Sequence, residues 1–218
     1  VTKNGKIYTI TSQEDFNSLK PSIQADILNI PASDNASSDN KGVTILFKSG
    51  TYNIGCFPLN YYVAIIGLGK SPDDVILSGN VCPDGFTTSI SNVFFRSLVN
   101  VTWKGDLTWG SSQMSPIRFC NIKGDVYLNK LCAPPKNPWD FTASGGYMAD
   151  SNVDGKCSVV GGNNGKAQQF LINRVQFKSD ENLQMNFVQL DSSGAPSNSC
   201  SSSVSSIGEG NRFFIGSY

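Results

Sequence analysis

The sequence predicts an all-β protein, wound as a parallel β-helix (solenoid) behind an N-terminal capping helix. Three observations carry this reading. Segments beginning on a β-branched residue recur at intervals of roughly 20–30 residues, the length of one solenoid turn. A Gly followed by a polar residue closes most of those segments. Only one stretch, 12–29, combines a capping residue with helical periodicity. The 218 residues suit one large domain. Its expected parts are an N-terminal strand, helix and polar loop over 1–42, the β-helix over 43–191, and a Ser/Gly-rich tail with a final strand over 192–218.

The helix comes first. Ser12 is placed to cap it, and Glu14 and Asp15 fall in its first turn, where they favour the helix dipole. Phe16, Leu19, Ile23 and Ile27 share a face. Pro21 interrupts, which predicts a kink or two short helices. Residues 31–42, "PASDNASSDNKG", read as a polar loop. Beyond them "VTILFKSGTYNI" is strand, Gly turn, strand, and "YYVAIIGLGKSPDDVILSG" repeats the form with "SPDD" as the turn.

Five segments then align on Val75, Val101, Ile122, Val153 and Val175. A solenoid turn cannot bury its apolar side alone, so the last four of these should stack as an interior ladder. One residue upstream lie Asn100, Asn121, Asn152 and Arg174. Three amides in one column predict an Asn ladder in which each side chain bonds its neighbours above and below.

Composition excludes several functions. Lys+Arg and Asp+Glu balance at 17 each, which leaves no charge excess for nucleic acid or an anionic membrane. No apolar run is long enough to span a bilayer. The absence of His excludes Ser-His-Asp and Cys-His catalysis and the common zinc sites. No metal and no cofactor are expected. The six cysteines, at 56, 82, 120, 132, 157 and 200, include no C-x-x-C and read as three disulfides of a secreted protein. Fifteen connectivities are open. The interval between Cys56 and Cys82 matches that between Val75 and Val101, which favours Cys56–Cys82; Cys120–Cys132 and Cys157–Cys200 complete the expected set. Asn35 and Asn100 stand in glycosylation triplets, although an Asn100 in the ladder would be crowded. A start at Val1 reads as a mature product or an excised fragment.

"DSNVDG", residues 150–155, opens like a calcium loop, with Asp150, Asn152 and Asp154 as oxygen ligands. The twelfth position, however, is Gly161 where that loop needs Glu, so a strand corner is the expected structure. Asp150 and Asp154 are also the weak candidates for a catalytic carboxylate pair. They lie about 13 Å apart at their Cα atoms if the strand stays extended, long for such a pair. Arg118 and Arg174 are placed on turns, as either structural or lyase-type arginines. Trp109, Trp139, Tyr61 and Tyr62, with Trp103 and Tyr127 beside them, are candidate sugar-stacking aromatics, core packing being their commoner use.

The blocks "FKSGTYNI", "YYVAIIGLGKSPDDVILSGNV", "FFRSLVNVTW", "SPIRFCNIKGDVYL", "SGGYMADSNVDGK" and "NFVQLDSSGAP" together resemble the N-terminal half of secreted microbial proteins related to glycoside hydrolase family 55. These are exo-β-1,3-glucanase-like proteins of the pectate-lyase-like superfamily. The likeness covers about 43–196, and "GLGKSPDDV" is its most specific part. It implies a right-handed parallel β-helix. It also implies that the catalytic acid belongs to a second β-helix, so no catalytic residue carries over. The expected function is therefore an extracellular structural or carbohydrate-associated domain, partnered by polysaccharide or by itself through end-to-end stacking. The alternatives are a glycoside hydrolase or polysaccharide lyase acting on β-glucan or another wall polysaccharide, or one half of such an enzyme.

Overall fold

The computed structural model describes residues 6–30, 42–57, 62–81, 96–109, 115–127, 146–155, 157–161, 170–177, 183–187, 189–190, 196–197 and 212–215. Its elements are β1 (Lys6–Ile10), α1 (Gln13–Leu28), β2 (Val43–Phe47), β3 (Gly50–Phe57), β4 (Val63–Gly67), β5 (Val75–Val81), β6 (Ser97–Val99), β7 (Thr102–Lys104), β8 (Leu107–Thr108) and β9 (Pro116–Arg118). There follow β10 (Asn121–Ile122), β11 (Val126–Tyr127), β12 (Gly146–Val153), β13 (Cys157–Gly161), β14 (Phe170–Phe177), β15 (Leu183–Phe187), β16 (Gln189–Leu190), β17 (Pro196–Ser197) and β18 (Arg212–Ile215).

The strands pair in parallel with the equivalent strands of the preceding pass. One row runs β1, β2, β4, β6, β9 and the first half of β12, then the first half of β14. A second runs β3, β5, β7, β10 and the second halves of β12 and β14. A third runs β8, β11, β13, β15. Because β12 and β14 each serve two rows, the first two join into one twelve-stranded sheet that curls back on itself. The antiparallel pairings described are β14 with β18 and β16 with β17.

Alternation explains how each strand takes its place. Val43, Ile45 and Phe47 are buried while Thr44 and Leu46 are half-buried, and β4 repeats the pattern with Val63 and Ile65. The inward residues form one continuous core along the passes, including Leu77, Leu98, Trp103, Ile117, Ile122 and Val153. Each such side chain contributes roughly 1.5–3 kcal/mol on burial.

The helix closes the first pass. Ser12 Oγ accepts from the Asp15 N–H, as a cap should. Phe16, Ile23 and Ile27 are buried, and Phe16 packs against Phe47 and Phe57 at 5.9 Å between ring centres. Gln13 accepts from the Asn53 N–H at 2.6 Å and donates to the Asn53 carbonyl at 3.1 Å. Its amide thus meets β3 as another strand would, and the edge is covered. The division into two short helices does not occur: α1 is continuous through Pro21. Pro21 is exposed, so its missing N–H faces water, while buried Phe16 and Ile23 on either side hold both halves down.

Two further features concern the ends. At the N-terminal end, β1 joins the sheet by parallel pairing with β2. At the other end β18 lies along Phe170–Asn173 of β14, a strand edge that the sequence had been expected to leave open.

Candidate functional site

The alignment column proves to be slipped by two residues at two of its steps. Ile122 pairs with Val153, as aligned, but it also pairs with Trp103 rather than Val101, and Val153 pairs with Phe177 rather than Val175. Strand side chains alternate with period two, so Val101 and Val175 still face inward and are buried. The slip changes their partners, not their face. Val101, Cys120, Ser151 and Val175 form one interior row, and Trp103, Ile122 and Val153 the next.

Cys120 therefore lies where its equivalents are Val, Ser and Val. It is a free, fully buried thiol, against the expected Cys120–Cys132 bond. Its Sγ donates to the Arg118 carbonyl at 3.2 Å, and burial pushes the thiol up to about 12. Cys56 is disulfide-bonded. It pairs in register with Asn80, two residues before Cys82. Cys82, Cys132 and Cys200 lie outside the described residues, and Cys157 is described only as backbone.

The amide ladder has two of its three expected members. Asn152 Nδ2 donates to Asn121 Oδ1 at 2.7 Å, and Asn121 Nδ2 donates to Asp73 Oδ1 at 2.7 Å. Thr102 Oγ1 donates to the same Asp73 oxygen at 2.7 Å. These hydrogen bonds, from Thr102 first and Asn121 second, hold the Asp73 carboxyl below its usual range. Asn100 is not in this row: Thr102 stands opposite Asn121 instead. Asn100 Nδ2 donates to the Gly67 and Gly69 carbonyls at 3.0 and 2.8 Å. A glycan there would take one of the two N–H donors that these bonds use. Asn35 lies outside the described residues.

Glycine corners answer the "DSNVDG" question. The Gly155 N–H donates to the Gly124 carbonyl at 3.2 Å. A Cβ on Gly155 would stand 2.5 Å from the Gly124 backbone, and one on Gly124 would stand 2.4 Å from Gly105. Gly155 is required by stacking on the pass below. Asp154 sits beside Lys123 at 3.6 Å. Among the described residues no group of three or more Cys, Asp or Glu is arranged for a metal.

The other corner carries the chemistry. Asn100, Phe119, Asp150 and Arg174 all adopt left-handed backbone conformations, with φ of 57°, 53°, 51° and 51°. They occupy the same position on four successive passes: Val99, Arg118, Ala149 and Asn173, each one residue earlier, are paired in series. This bend lets one continuous strand serve two rows, and it turns these four side chains away from the strand alternation. Asp150 therefore does not share an extended strand with Asp154, and the two carboxylates serve different cations. Arg174 Nε donates to Asp150 Oδ1, and Arg118 Nη2 stands 3.6 Å from Oδ2. The Asp150 side chain is 11% exposed and Oδ2 has no hydrogen-bond partner among the described residues. Arg174, chiefly through that bond, holds the Asp150 carboxyl below its ordinary 3.8. Phe119 is 47% exposed, with the Arg118 guanidinium 5.2 Å from its ring centre.

Among the described residues, two of the sequence-based aromatic candidates belong to the core. Trp109 is 1% exposed; it stacks on Arg96 at 4.9 Å and donates to the Ser115 carbonyl at 3.1 Å. Trp103 is fully buried and donates to the Asp106 carbonyl. Tyr62 is half-buried against the core. Trp139 and Tyr61 lie outside the described residues, as does the side chain of Tyr127. Phe119, the exposed aromatic of the corner, was not among them.

Comparison with known proteins gives one informative likeness. The chain is 38% identical over 117 residues to an exo-β-1,3-glucanase of Streptomyces sp. (strain SirexAA-E / ActE). The match covers 51% of this chain and 18% of that protein's length. It supports a glucanase-related family and a carbohydrate-related function. No family model matches, and no solved structure matches. No helix among the described residues is long and apolar enough to cross a membrane.

Proposed function

We propose that this chain is an extracellular, carbohydrate-binding module of right-handed parallel β-helical form, without hydrolytic activity of its own. The observation that carries the reading is the 38% identity to an exo-β-1,3-glucanase. The match spans 18% of that protein's length. Parallel pairing of each pass on the one before supports the β-helix. The bonded Cys56 supports an oxidising compartment, with Cys82 as its partner, Cys157–Cys200 as a second bridge and a glycan on Asn35. The polysaccharide in view is a β-1,3-glucan. Self-association is the lesser expectation, since β18 occupies part of the last edge.

A second reading, a glycoside hydrolase, is favoured by the same relative's activity. Its best carboxylates are Asp150 and Asp154, which do not face one another. One experiment separates the two. The native chain is passed over insoluble β-1,3-glucan and run in laminarin affinity gels, and reducing sugar is assayed on the same samples. Retention without sugar release is expected. Release that disappears in Asp150→Asn or Asp154→Asn restores the hydrolase, and no retention on either glucan removes the binding reading.

A further inference from the structure

Phe119 needs an explanation that the fold does not supply. A bulky side chain in the left-handed region is uncommon and strained. The equivalent residue on the previous pass is Asn100, a residue that tolerates this conformation and uses its amide to tie down two carbonyls. Asp150 and Arg174, on the following passes, bond one another. Phe119 has no such return: its ring is half in solvent, and its described contact is the Arg118 guanidinium. An exposed aromatic in a strained conformation is the kind of departure that marks a ligand contact.

The surrounding groups state what the ligand must present. Asp150 Oδ2 is a shielded acceptor that no donor among the described residues meets at close hydrogen-bond distance; Arg118, 3.6 Å away, is its ion-pair partner. The Arg118 and Arg174 side chains are 44% and 49% exposed, and each presents a planar fork of N–H donors. The ligand must therefore offer an apolar face to Phe119, a hydroxyl hydrogen to Asp150, and hydroxyl oxygens to the two arginines. A uronate carboxylate brings no hydrogen to Asp150, which a sugar hydroxyl supplies.

We infer that the left-handed corner formed by Phe119, Arg118, Asp150 and Arg174 is a binding subsite for a neutral pyranose. Phe119 stacks on the ring's C–H face, and Asp150 with the arginines reads its hydroxyls. This rests on the carbohydrate-binding reading above and adds the place where the sugar binds.

The test uses the whole chain and laminarin affinity electrophoresis, with polygalacturonate as the charged comparison. Phe119→Asn is the informative variant, because Asn suits the backbone conformation, as Asn100 shows, and removes the ring. Its melting temperature should match or exceed that of the parent, while laminarin binding weakens at least tenfold. Phe119→Trp should retain binding, and Ile7→Ser, which alters an exposed apolar residue on β1, should leave it unchanged. Asp150→Asn should weaken it severalfold. If the parent binds laminarin and Phe119→Asn binds equally well, the subsite is overturned while the carbohydrate-binding function stands. If the parent prefers polygalacturonate, the neutral-sugar assignment is overturned. If it binds neither, both proposals fall.

Discussion

The two corners of each pass solve the same geometric problem in opposite ways. At 105, 124 and 155 the chain turns with glycines whose backbones lie on one another. At 100, 119, 150 and 174 it turns through a left-handed residue that projects a side chain. The first corner admits no Cβ at Gly124 or Gly155, so its composition is dictated by packing. The second leaves the side chain free to differ, and its four residues are an amide, an aromatic ring, a carboxylate and a guanidinium. Fold stability is concentrated at the first and chemical variety at the second.

The largest effect should come from breaking the glycine corner. Gly124→Ala places a Cβ 2.4 Å from the Gly105 carbonyl carbon and 2.6 Å from the Asp106 amide nitrogen, neither of which can rotate away. Separating the passes is the available relief, and it loosens the Trp103–Ile122–Val153 row. A loss of about 3 kcal/mol is expected, as for other overpacked sites. For a chain of this size that is roughly 6–12 °C in thermal melting. Gly105→Ala meets no atom within 4 Å and bears only the strain of φ +98°, so it should cost about 1 kcal/mol. Equal losses from the two would mean that conformation, not contact, shapes this corner.

The ladder beside that corner should yield an intermediate effect. Asn121→Ala removes the acceptor of Asn152 and one donor of Asp73, and should cost about 1–2 kcal/mol. Asp154→Ala loosens a half-exposed ion pair and should cost a few tenths. Urea melts of both variants check the order. If Asp154→Ala is the more damaging, or if added calcium raises the melting temperature markedly, a metal role for "DSNVDG" returns.

How far the sequence revealed this arrangement can be followed at single residues. The helix, its Ser12 cap, the parallel passes and the inward face of Val101, Ile122, Val153 and Val175 were all legible, because burial imposes period two and the turns impose a repeat. Partners were less legible. "NV" at 100–101 looks like "NI" at 121–122 and "NV" at 152–153, yet Asn100 belongs with Phe119 and Asp150. A two-residue slip keeps every side chain on its face, so hydrophobic pattern alone cannot detect it. That slip hid the corner column, and with it Phe119. It also hid the reason for Cys120, whose row otherwise holds Val and Ser. A signal did exist. Anchored on the pairs Asn121–Ile122 and Asn152–Val153, the sequence places Phe119 and Asp150 in one column, although nothing in it announces left-handed backbone at a Phe. Pro21 failed as a helix breaker because its position is exposed and the buried residues around it override local preference.

A smaller, pH-dependent effect sharpens the comparison from the side of the second corner. Asp150 holds two guanidiniums together across three passes, and its carboxyl lies below 3.8 in the folded chain, chiefly through Arg174. A carboxylate depressed by folding contributes stability that is whole above its unfolded value and is lost as pH falls through the folded one. Asp150→Asn should therefore destabilise at neutral pH, by about 1 kcal/mol for a pair whose arginines are half exposed. The difference from the parent should shrink once the pH drops below 3.8 and vanish under the folded value. Asp73 is depressed as well, through Thr102 and Asn121, so the parent's acid limb has more than one source. Subtracting the two melting curves, pH by pH, isolates the part belonging to Asp150. A difference that stays constant from neutral pH into strong acid would show that Asp150 acts through packing, and would remove the charge from this corner's account.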